Sequence, residues 1–320
     1  MLKQNVLKKL EEGKGTPISG ASLADDFEVS RTAIWKCINV LKEEGYPIET
    51  FGKKGYILSK ASDILSKSGI EANLKNNIPI NVYDSVTSTN TVAADLALKG
   101  FTNFTAVIAN EQTKGKGRLG RSFYSPSAKG IYMSLIIKPT FDISKSTLIT
   151  TAASVAVANS IHEVTGLDPK IKWVNDIFLD GKKVCGILTE AISDFETGTI
   201  SHIILGIGIN CHQSDFPDDI KDIAGYLGGN FDRNVLTAKI LDNLLDQLSD
   251  LDSKNFIDEY KKRSLVLDQE IVVYKSGIKE NSYGVNATAI DITNSGGLVV
   301  RYHNGQKDVL TSGEISISIA

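Results

Sequence analysis

The residues most suited to chemistry are concentrated in one short segment, Lys114-Gly115-Lys116-Gly117-Arg118-Leu119-Gly120-Arg121. It combines four cations with three glycines and follows a strand-like run at 105–109. Glycines let successive backbone N–H groups approach an anion, and arginine can donate two parallel hydrogen bonds to a phosphate or carboxylate. The segment therefore predicts an anion-binding loop. Taken alone, the same composition also fits a solvated basic loop.

A second group of charged residues lies in a predicted hairpin over 170–188, whose Asp-Gly turn fixes the pairing of its strands. The expected register places Asp176 opposite Cys185 and puts Lys172, Asp176 and Lys183 on one side of the sheet. Charged groups among apolar neighbours are costly unless they pair with each other or bind a ligand. The hairpin therefore predicts either a ligand site or an internal Lys/Asp salt bridge.

A third segment, 203–210, is an apolar strand that contains Gly206 and Gly208 and ends at Asn210. Glycine within a strand predicts close approach by another backbone or by a ligand. The pattern is not a dinucleotide fingerprint, because Cys211 replaces the third glycine and no helix is predicted to follow. A GxxxxGK[ST] phosphate loop is also missing from the sequence. Any nucleotide would be bound by a different fold.

Composition limits the class of protein. The chain has 320 residues, 42% hydrophobic and 23% charged, which is enough for two or three domains with their own cores. No signal-peptide pattern and no apolar stretch of about 18 residues is seen, so we expect a cytoplasmic protein that does not enter a membrane. The three cysteines and four histidines lack metal-ligand spacing. Zinc binding, disulfides and nucleophilic triad chemistry are therefore not indicated.

The N-terminal segment predicts a winged helix-turn-helix. After the expected N-cap Ser30, apolar residues follow at helical spacing over 34–41, and strands at 48–50 and 56–58 form a wing with a basic tip. Residues 1–60 carry ten Lys and Arg against eight Asp and Glu, whereas the rest of the chain is negative. Nucleic acid is therefore expected here, and a three-helix domain that binds protein is the alternative. The residues expected to contact DNA are Ser30, Arg31, Thr32, Trp35, Lys36, Lys53 and Lys54.

The other elements follow from periodicity and turn residues. Residues 61–77 are expected to form a polar linker. The predicted strands and helices are 80–83, 90–98, 131–137, 148–165 and an apolar helix over 236–251. From about Asp268, short strands with turns at Ser276-Gly277, Gly296-Gly297 and Asn304-Gly305 predict a small β-barrel. The expected domains are 1–62, 78–267 and 268–320, in an α/β multidomain (α+β) fold class.

Together these segments make the chain resemble the bifunctional biotin protein ligases, which biotinylate carrier proteins and repress biotin genes. The matching segments are Ser19-Gly20, Val29-Ser30-Arg31, Gly52 to Tyr56, Ser88-Thr89-Asn90, Gln112, Gly115 to Arg121, Lys172 to Asp176, Lys183 with Gly186, and Gly206 to Asn210. The resemblance implies a winged helix-turn-helix, a central mixed-sheet α/β ligase domain similar to class II aminoacyl-tRNA synthetases, and a C-terminal SH3-like β-barrel.

The resemblance also implies a reaction and its site. Biotin and ATP would form biotinyl-5′-adenylate, and a lysine of a carboxylase's biotin carrier domain would take the acyl group. Catalytic roles are implied for Lys183, Arg118 and Arg121. Biotin binding is implied for Ser88, Thr89, Asn90, Gln112, Gly115, Lys116, Gly117, Arg118, Lys183 and Gly186. ATP or adenylate binding is implied for Arg121, Phe123, Lys172, Asn175, Asp176 and Asn210, with Mg²⁺ at Asn175 or Asp176.

Several residues depart from the pattern of the family. Lys116 stands where arginine is usual, Phe123 where tryptophan often covers adenine, Val174 where proline is common, and Cys185 where alanine can occur. Lysine keeps the charge but loses the planar fork, so the role of Lys116 rests on its backbone. Phenylalanine still stacks, with less area. We therefore expect the chain to be active despite these differences.

The resemblance further implies a homodimer that forms when adenylate is bound and reads a palindromic double-stranded operator. Two other functions fit parts of the sequence. A repressor that senses a small anion without chemistry would leave Lys183 and the glycine-rich loop unexplained. A lipoate or octanoate transferase would share the catalytic fold, but such enzymes lack this Gly/Arg loop pattern and usually lack a winged helix.

Overall fold

The computed structural model describes residues 1–139, 146–193, 196, 199–274, 284–311 and 314–317. The chain divides into two compact units. Unit 1 comprises Met1–Asn77 and Asn230–Asp242, and unit 2 comprises Ile78–Gly229 and Asn243–Ala320. The predicted turn at Ser276-Gly277 lies outside the described residues.

Unit 1 begins with three helices and a two-stranded wing. Its first elements are α1 (Leu2–Glu12), α2 (Gly20–Asp26), α3 (Arg31–Glu43), β1 (Ile48–Thr50) and β2 (Tyr56–Leu58). Ser30 Oγ accepts a hydrogen bond from Ala33 N at 3.2 Å, so the predicted N-cap of α3 is confirmed. Ile34 and Ile38 are fully buried in the core of this unit. Each such side chain contributes about 1.5 to 3 kcal/mol relative to exposure. The polar face of α3 is left toward solvent.

The segment expected to be a polar linker contains a helix, α4 (Lys67–Asn73), and this prediction was wrong. Ser66 Oγ caps the helix by accepting from Gly69 N at 3.0 Å, and Ile70 is fully buried. Helix α4 packs against α1. Seven residues make only two turns, which is too short for a clear apolar period, so tertiary packing decides the helix.

Unit 2 is built on a seven-stranded mixed sheet in the order β3-β4-β5-β9-β8-β7-β6. Only the β3/β4 pair is parallel among these pairings. The strands are β3 (Ile80–Tyr83), β4 (Ala106–Ala109), β5 (Gly130–Ile137), β6 (Lys170–Lys172), β7 (Asp176–Leu179), β8 (Lys182–Ser193) and β9 (Ile200–Asn210). Strand β5 is buried along its whole length, which places it at the centre of the core.

The β7/β8 hairpin corrects one detail of the predicted register. Phe178 pairs with Lys183 as expected, but Asp176 pairs with Gly186 and not with Cys185. A bulge beside Phe178 inserts one extra residue into β8, which a strict alternation from the turn cannot anticipate. The bulge shifts the register, yet it leaves Asp176 and Lys183 on the same side of the sheet.

Four more helices and a second, smaller sheet complete the described fold. The remaining helices are α5 (Thr89–Leu98), α6 (Ser146–Thr165), α7 (Arg233–Ser249), whose first residues belong to unit 1, and α8 (Phe256–Arg263). A five-stranded antiparallel sheet follows, with β10 (Glu270–Tyr274), β11 (Val285–Ile292), β12 (Leu298–Tyr302), β13 (Lys307–Leu310) and β14 (Glu314–Ile317). None of the described helices is both long and apolar enough to cross a membrane.

The small sheet contacts the mixed-sheet part of unit 2 through the turn between β11 and β12. Gly296, with a φ of +80°, lies in the turn between β11 and β12, where the sequence predicts one. Its carbonyl oxygen accepts a hydrogen bond from Trp173 Nε1 at 2.9 Å. Lys261 of α8 pairs with Asp291 at 2.7 Å. The small sheet is therefore fixed to the residues that lead into β7.

Candidate active site

One side of the site is built around Gln112, which follows β4. Its Oε1 accepts from Thr89 N at 2.8 Å and from Thr89 Oγ1 at 3.1 Å. Its Nε2 donates to Ser125 Oγ at 2.9 Å, and Ser125 donates in turn to Phe123 O. The amide of Gln112 is held at both ends, so the beginning of α5 and the end of the glycine-rich loop have a fixed relation.

A buried polar chain continues this arrangement beneath α5. Ser134, fully buried in β5, has its Oγ 2.6 Å from Asn90 Oδ1 and 2.8 Å from Thr89 Oγ1. Asn90 Nδ2 donates to Glu190 Oε2 at 2.6 Å. A Cβ at Gly206 would lie 2.1 Å from Asn90 Oδ1. The close approach predicted at Gly206 is therefore made by the Asn90 side chain.

The glycine-rich loop folds back on itself. Gly115 O accepts from Phe123 N at 2.9 Å, and Gly117 N donates to Arg121 O at 2.7 Å. A Cβ at Gly115 would lie 2.3 Å from Phe123 O, so only glycine fits there. Leu119 and Gly120 have φ of 58° and 74° and reverse the chain. The left-handed conformations that reverse the loop are thus adopted by these two residues.

The tip of this loop meets the hairpin. Arg118 Nη1 donates to Asn175 Oδ1 at 2.9 Å. Asn175 Nδ2 donates to Asp176 Oδ1 at 3.0 Å and to Ile187 O at 2.9 Å. Lys183 Nζ lies 2.6 Å from Asp176 Oδ1. The two charged segments of the sequence therefore converge on one place.

The Lys183–Asp176 ion pair is partly open to solvent. The two side chains are 32% and 25% exposed, so a charged ligand can reach them. Lys172 is on the same side of the hairpin, as predicted, with Nζ 5.8 Å from the centre of the Phe178 ring. In contrast, Lys116 and Arg121 are exposed to solvent. Lys172 and Lys183 are therefore less exposed than Lys116 and Arg121.

The Phe123 ring lies over two glycines of the sheet. A Cβ at Gly208 would be 2.5 Å from this ring, and a Cβ at Gly186 would be 3.4 Å from it. Gly186 and Gly208 are paired across β8 and β9. The glycines of both strands therefore create the space for an aromatic group directly beside Lys183.

A loop that sequence reasoning did not assign to the site runs along Lys183. Lys183 N donates to Ile223 O at 2.7 Å, and Gly225 N donates to Lys183 O at 2.8 Å. Asn210, which is predicted to bind ATP or adenylate, donates from Nδ2 to Gly225 O at 2.9 Å and so holds this loop in place. The only hint of such a loop in the sequence is that no helix is predicted after Asn210. Ser134 was also missed, although a single serine in an otherwise apolar strand could have pointed to it.

The described residues do not include a group of three or more His, Cys, Asp or Glu side chains that could hold a metal ion. At the predicted Mg²⁺ position, Asp176 pairs with Lys183 and Asn175 Oδ1 accepts from Arg118. Asp176 Oδ1 and Asn175 Oδ1 thus already face cations. These residues alone do not fit a resident magnesium site, since Mg²⁺ prefers several oxygen ligands.

The predicted DNA contacts belong to α3, its N-cap and the wing of unit 1. Arg31, Thr32 and Lys36 are exposed on α3, and Trp35 is 54% exposed, which is unusual for tryptophan. Ser30 caps this helix. Lys54 of the wing has its Nζ 5.3 Å from the centre of the exposed Phe51 ring. The side chain of Lys53 lies outside what the structure describes.

Unit 1 thus contains a helix-turn-helix with a wing, and unit 2 contains a mixed sheet with a cationic site. Residues 3–57 match the HTH domain, and residues 82–210 match the Biotin/lipoate A/B protein ligase family. The chain belongs to the biotin/lipoate A/B protein ligase family. It is 37% identical over 249 residues to the bifunctional ligase/repressor BirA of Bacillus subtilis (strain 168), a match that covers 76% of each chain.

Other relatives agree with this assignment. The bifunctional ligase/repressor BirA of Escherichia coli (strain K12) is 28% identical over 231 residues, which cover 71% of this chain and 70% of the relative. Among solved structures, the biotin protein ligase from Aquifex aeolicus in complex with biotin and ATP has a TM-score of 0.63 and 27% identity. That match covers 76% of this chain and 99% of the other.

Proposed function

We infer that this chain is an ATP-dependent biotin protein ligase that also carries the DNA-binding domain of a repressor. The observation that carries the enzymatic part is the hydrogen bond from Arg118 to Asn175, beside the Lys183–Asp176 pair. It joins the anion-binding loop and the charged hairpin into one site. The relatives named as bifunctional ligase/repressor share both parts of this function.

We propose that the neutral side of the site holds biotin. Gln112 and Thr89 present fixed polar groups that suit a urea ring, and Ser88 lies buried at the start of α5. Binding through hydrogen bonds in a buried place favours a ligand that matches them. The full set proposed for biotin is Ser88, Thr89, Asn90, Gln112, Gly115, Lys116, Gly117, Arg118, Lys183 and Gly186.

The charged side is proposed to hold ATP and the adenylate. An oxygen of the biotin carboxylate attacks the α-phosphorus, and the bond from that phosphorus to pyrophosphate breaks. Negative charge gathers on the phosphorus oxygens and the departing group, which Arg118, Arg121 and Lys183 stabilise. The set proposed for ATP or adenylate is Arg121, Phe123, Lys172, Asn175, Asp176 and Asn210. No residue forms a covalent bond to the substrate.

Magnesium is proposed to enter as MgATP. Because Asp176 and Asn175 already face cations, the phosphates of ATP would supply most of the ligands of the ion.

In the second step, the amine of a carrier lysine attacks the acyl carbon and AMP departs. The carrier is proposed to be the biotin carboxyl carrier domain of a carboxylase. The loop at 211–229 lies beside Lys183 and would border the path by which the carrier lysine approaches. The finer architecture proposed for this chain is a catalytic domain over 78–267, related to class II aminoacyl-tRNA synthetases. A winged helix over 1–62 and an SH3-like barrel over 268–320 flank it.

Repression is proposed to use the exposed face of α3 and the wing. One winged helix makes few base contacts, whereas a two-fold dimer can read a palindromic operator. We propose that bound adenylate favours the homodimer and so raises operator affinity. Operator binding measured with and without biotin and MgATP tests this switch. Equal affinity in both conditions would contradict it, and Arg31→Ala should weaken binding in both.

The enzymatic part is tested with the purified chain, biotin, MgATP and an acceptor domain. We expect the mass of the acceptor to increase by one biotinyl group, and Lys183→Ala to slow this increase strongly. Mass analysis with lipoate or octanoate in place of biotin separates the alternative acyl transferases. An acceptor that gains a lipoyl group and no biotinyl group would overturn the proposal.

A further inference from the structure

Two buried hydroxyl groups meet behind the charged side of the site. Tyr260 of α8 is fully buried, and its OH donates to Val174 O at 3.2 Å. Ser154 of α6, also fully buried, has its Oγ 3.2 Å from the same oxygen. The Ser154 hydroxyl also lies 2.9 Å from Thr150 O in its own helix, so its single proton is shared. Tyr260 is therefore the principal donor to Val174.

The Val174 carbonyl belongs to the peptide that leads directly into Asn175. Asn175 is 8% exposed, and its Nδ2 donates to Ile187 O and Asp176 Oδ1. Ile187 N also donates to Asn175 O at 2.9 Å. With these bonds in place, Asn175 Oδ1 is the atom that faces Arg118. The direction of the amide therefore depends on the position of its backbone.

The tyrosine is well suited to a fixed donor role. Burial raises the pKa of the Tyr260 hydroxyl well above its usual value, so the group remains protonated at any physiological pH. A buried carbonyl that loses its donor is costly, and the peptide would shift to find another. A shift of a few tenths of an ångström at Val174 would carry Asn175 with it.

We propose that Tyr260, assisted by Ser154, is a positioning residue: its hydroxyl fixes the Val174 peptide and thereby holds Asn175 where it orients Arg118 for adenylate formation and retention. This inference rests on the proposed function, because it needs Asn175 and Arg118 to act on the adenylate. Neither hydroxyl touches a substrate. The role gives α8, which precedes the small C-terminal sheet, a part in the chemistry.

The test compares Tyr260→Phe, Ser154→Ala and the double variant by steady-state adenylate formation and by adenylate release in a chase. We expect Tyr260→Phe to lower kcat about 10-fold, the lower end of the range seen for outer-shell partners. Ser154→Ala should lower kcat by less, because its proton is shared with Thr150 O. Adenylate release should become faster in the same order. The KM for biotin should stay unchanged, because the Gln112 side of the site is untouched.

A matched control is Ser160→Ala, which removes another fully buried hydroxyl of α6. Ser160 donates to Ala156 O at 2.7 Å and accepts from Asn243 Nδ2 of α7 at 3.0 Å, whereas the bonds to Val174 O come from Ser154 and Tyr260. Any loss caused only by a weaker α6 should appear equally in Ser154→Ala and Ser160→Ala. Equal kinetic losses in these two variants would therefore overturn the role of Ser154. If Tyr260→Phe fails to fold, the two serine variants still test whether a donor to Val174 O affects adenylate formation.

The decisive measurement is a double-mutant cycle with Asn175→Ala. If Tyr260 acts through Asn175, Tyr260→Phe should cause no further loss of kcat once Asn175 has been replaced. Losses that multiply would overturn the inference. If Asn175→Ala retains the parent rates, then the proposed role of Asn175 fails. If Asn175→Ala is impaired while Tyr260→Phe is not, only the positioning role fails.

Discussion

The two sides of the active site are built from different interactions. The side around Gln112 consists of neutral hydrogen bonds, in which buried groups such as Ser134 and Thr89 hold one another. The other side consists of charged groups, Arg118 and the Lys183–Asp176 pair, which remain partly exposed. The neutral side is thus fixed by the fold before any ligand arrives.

This difference assigns different kinetic roles to the two sides. Groups that are fully paired in the interior select a ligand by shape and hydrogen bonding, so they should govern the KM for biotin. Groups that face developing charge stabilise the transition state, so they should govern kcat. The following predictions either break this division or make it quantitative.

Lys183→Ala should have the largest effect. Loss of a cation at the reacting phosphate should lower kcat for adenylate formation by about 100- to 1000-fold. The KM for biotin should rise by much less, although Lys183 is also proposed to contact biotin. Pyrophosphate exchange measures this step directly. Lys170→Ala, which removes an exposed lysine of the same hairpin, is the matched control. A large rise in the KM for biotin without a change in kcat would break the division.

Arg118→Gly should act mainly on retention of the intermediate. It removes the hydrogen bond to Asn175 and one cation from the loop, so adenylate should leave about 10- to 100-fold faster. A chase of labelled adenylate measures the rate, and nonspecific labelling of added protein lysines reports the leak. Arg118→Lys keeps the charge without the planar fork and should be intermediate. Unchanged release in Arg118→Gly would contradict this role.

Ser134→Ala should affect the neutral side. Without this hydroxyl, Asn90 Oδ1 loses its donor and Thr89 loses a partner, so the KM for biotin should rise about 10-fold. The kcat at saturating biotin should remain near that of the parent. Thr105→Val removes a fully buried hydroxyl that is not part of this hydrogen-bonded group of side chains, so it should leave the KM for biotin unchanged. A fall in kcat without a rise in the KM for biotin would contradict this role of Ser134.

Lys116→Ala should have the smallest effect. The side chain is exposed to solvent, and surface charges contribute little. We expect a change of about 2-fold or less in the KM for biotin and in kcat. A much larger loss in steady-state biotinylation would show that the lysine side chain reaches the ligand and that the contact is not made by its backbone alone.

Several features were predictable because they depend on residues close in the chain. The cap at Ser30, the wing strands and the Asp180-Gly181 turn follow from local hydrogen bonds and side-chain periodicity. The glycine-rich loop was identified from composition for the same reason. Helix α4 was missed because two turns without a clear apolar stripe carry too little local signal.

The sequence by itself determined the element pattern, the cationic loop and the placement of Asp176 and Lys183 on one side of a hairpin. Only the tertiary structure decided that Arg118 meets Asn175, 57 residues away, and that Tyr260 reaches Val174 across 86 residues. Such contacts require donor and acceptor to agree within a few tenths of an ångström. That agreement comes from how whole helices and strands pack, and neither the period of a helix nor that of a strand encodes it.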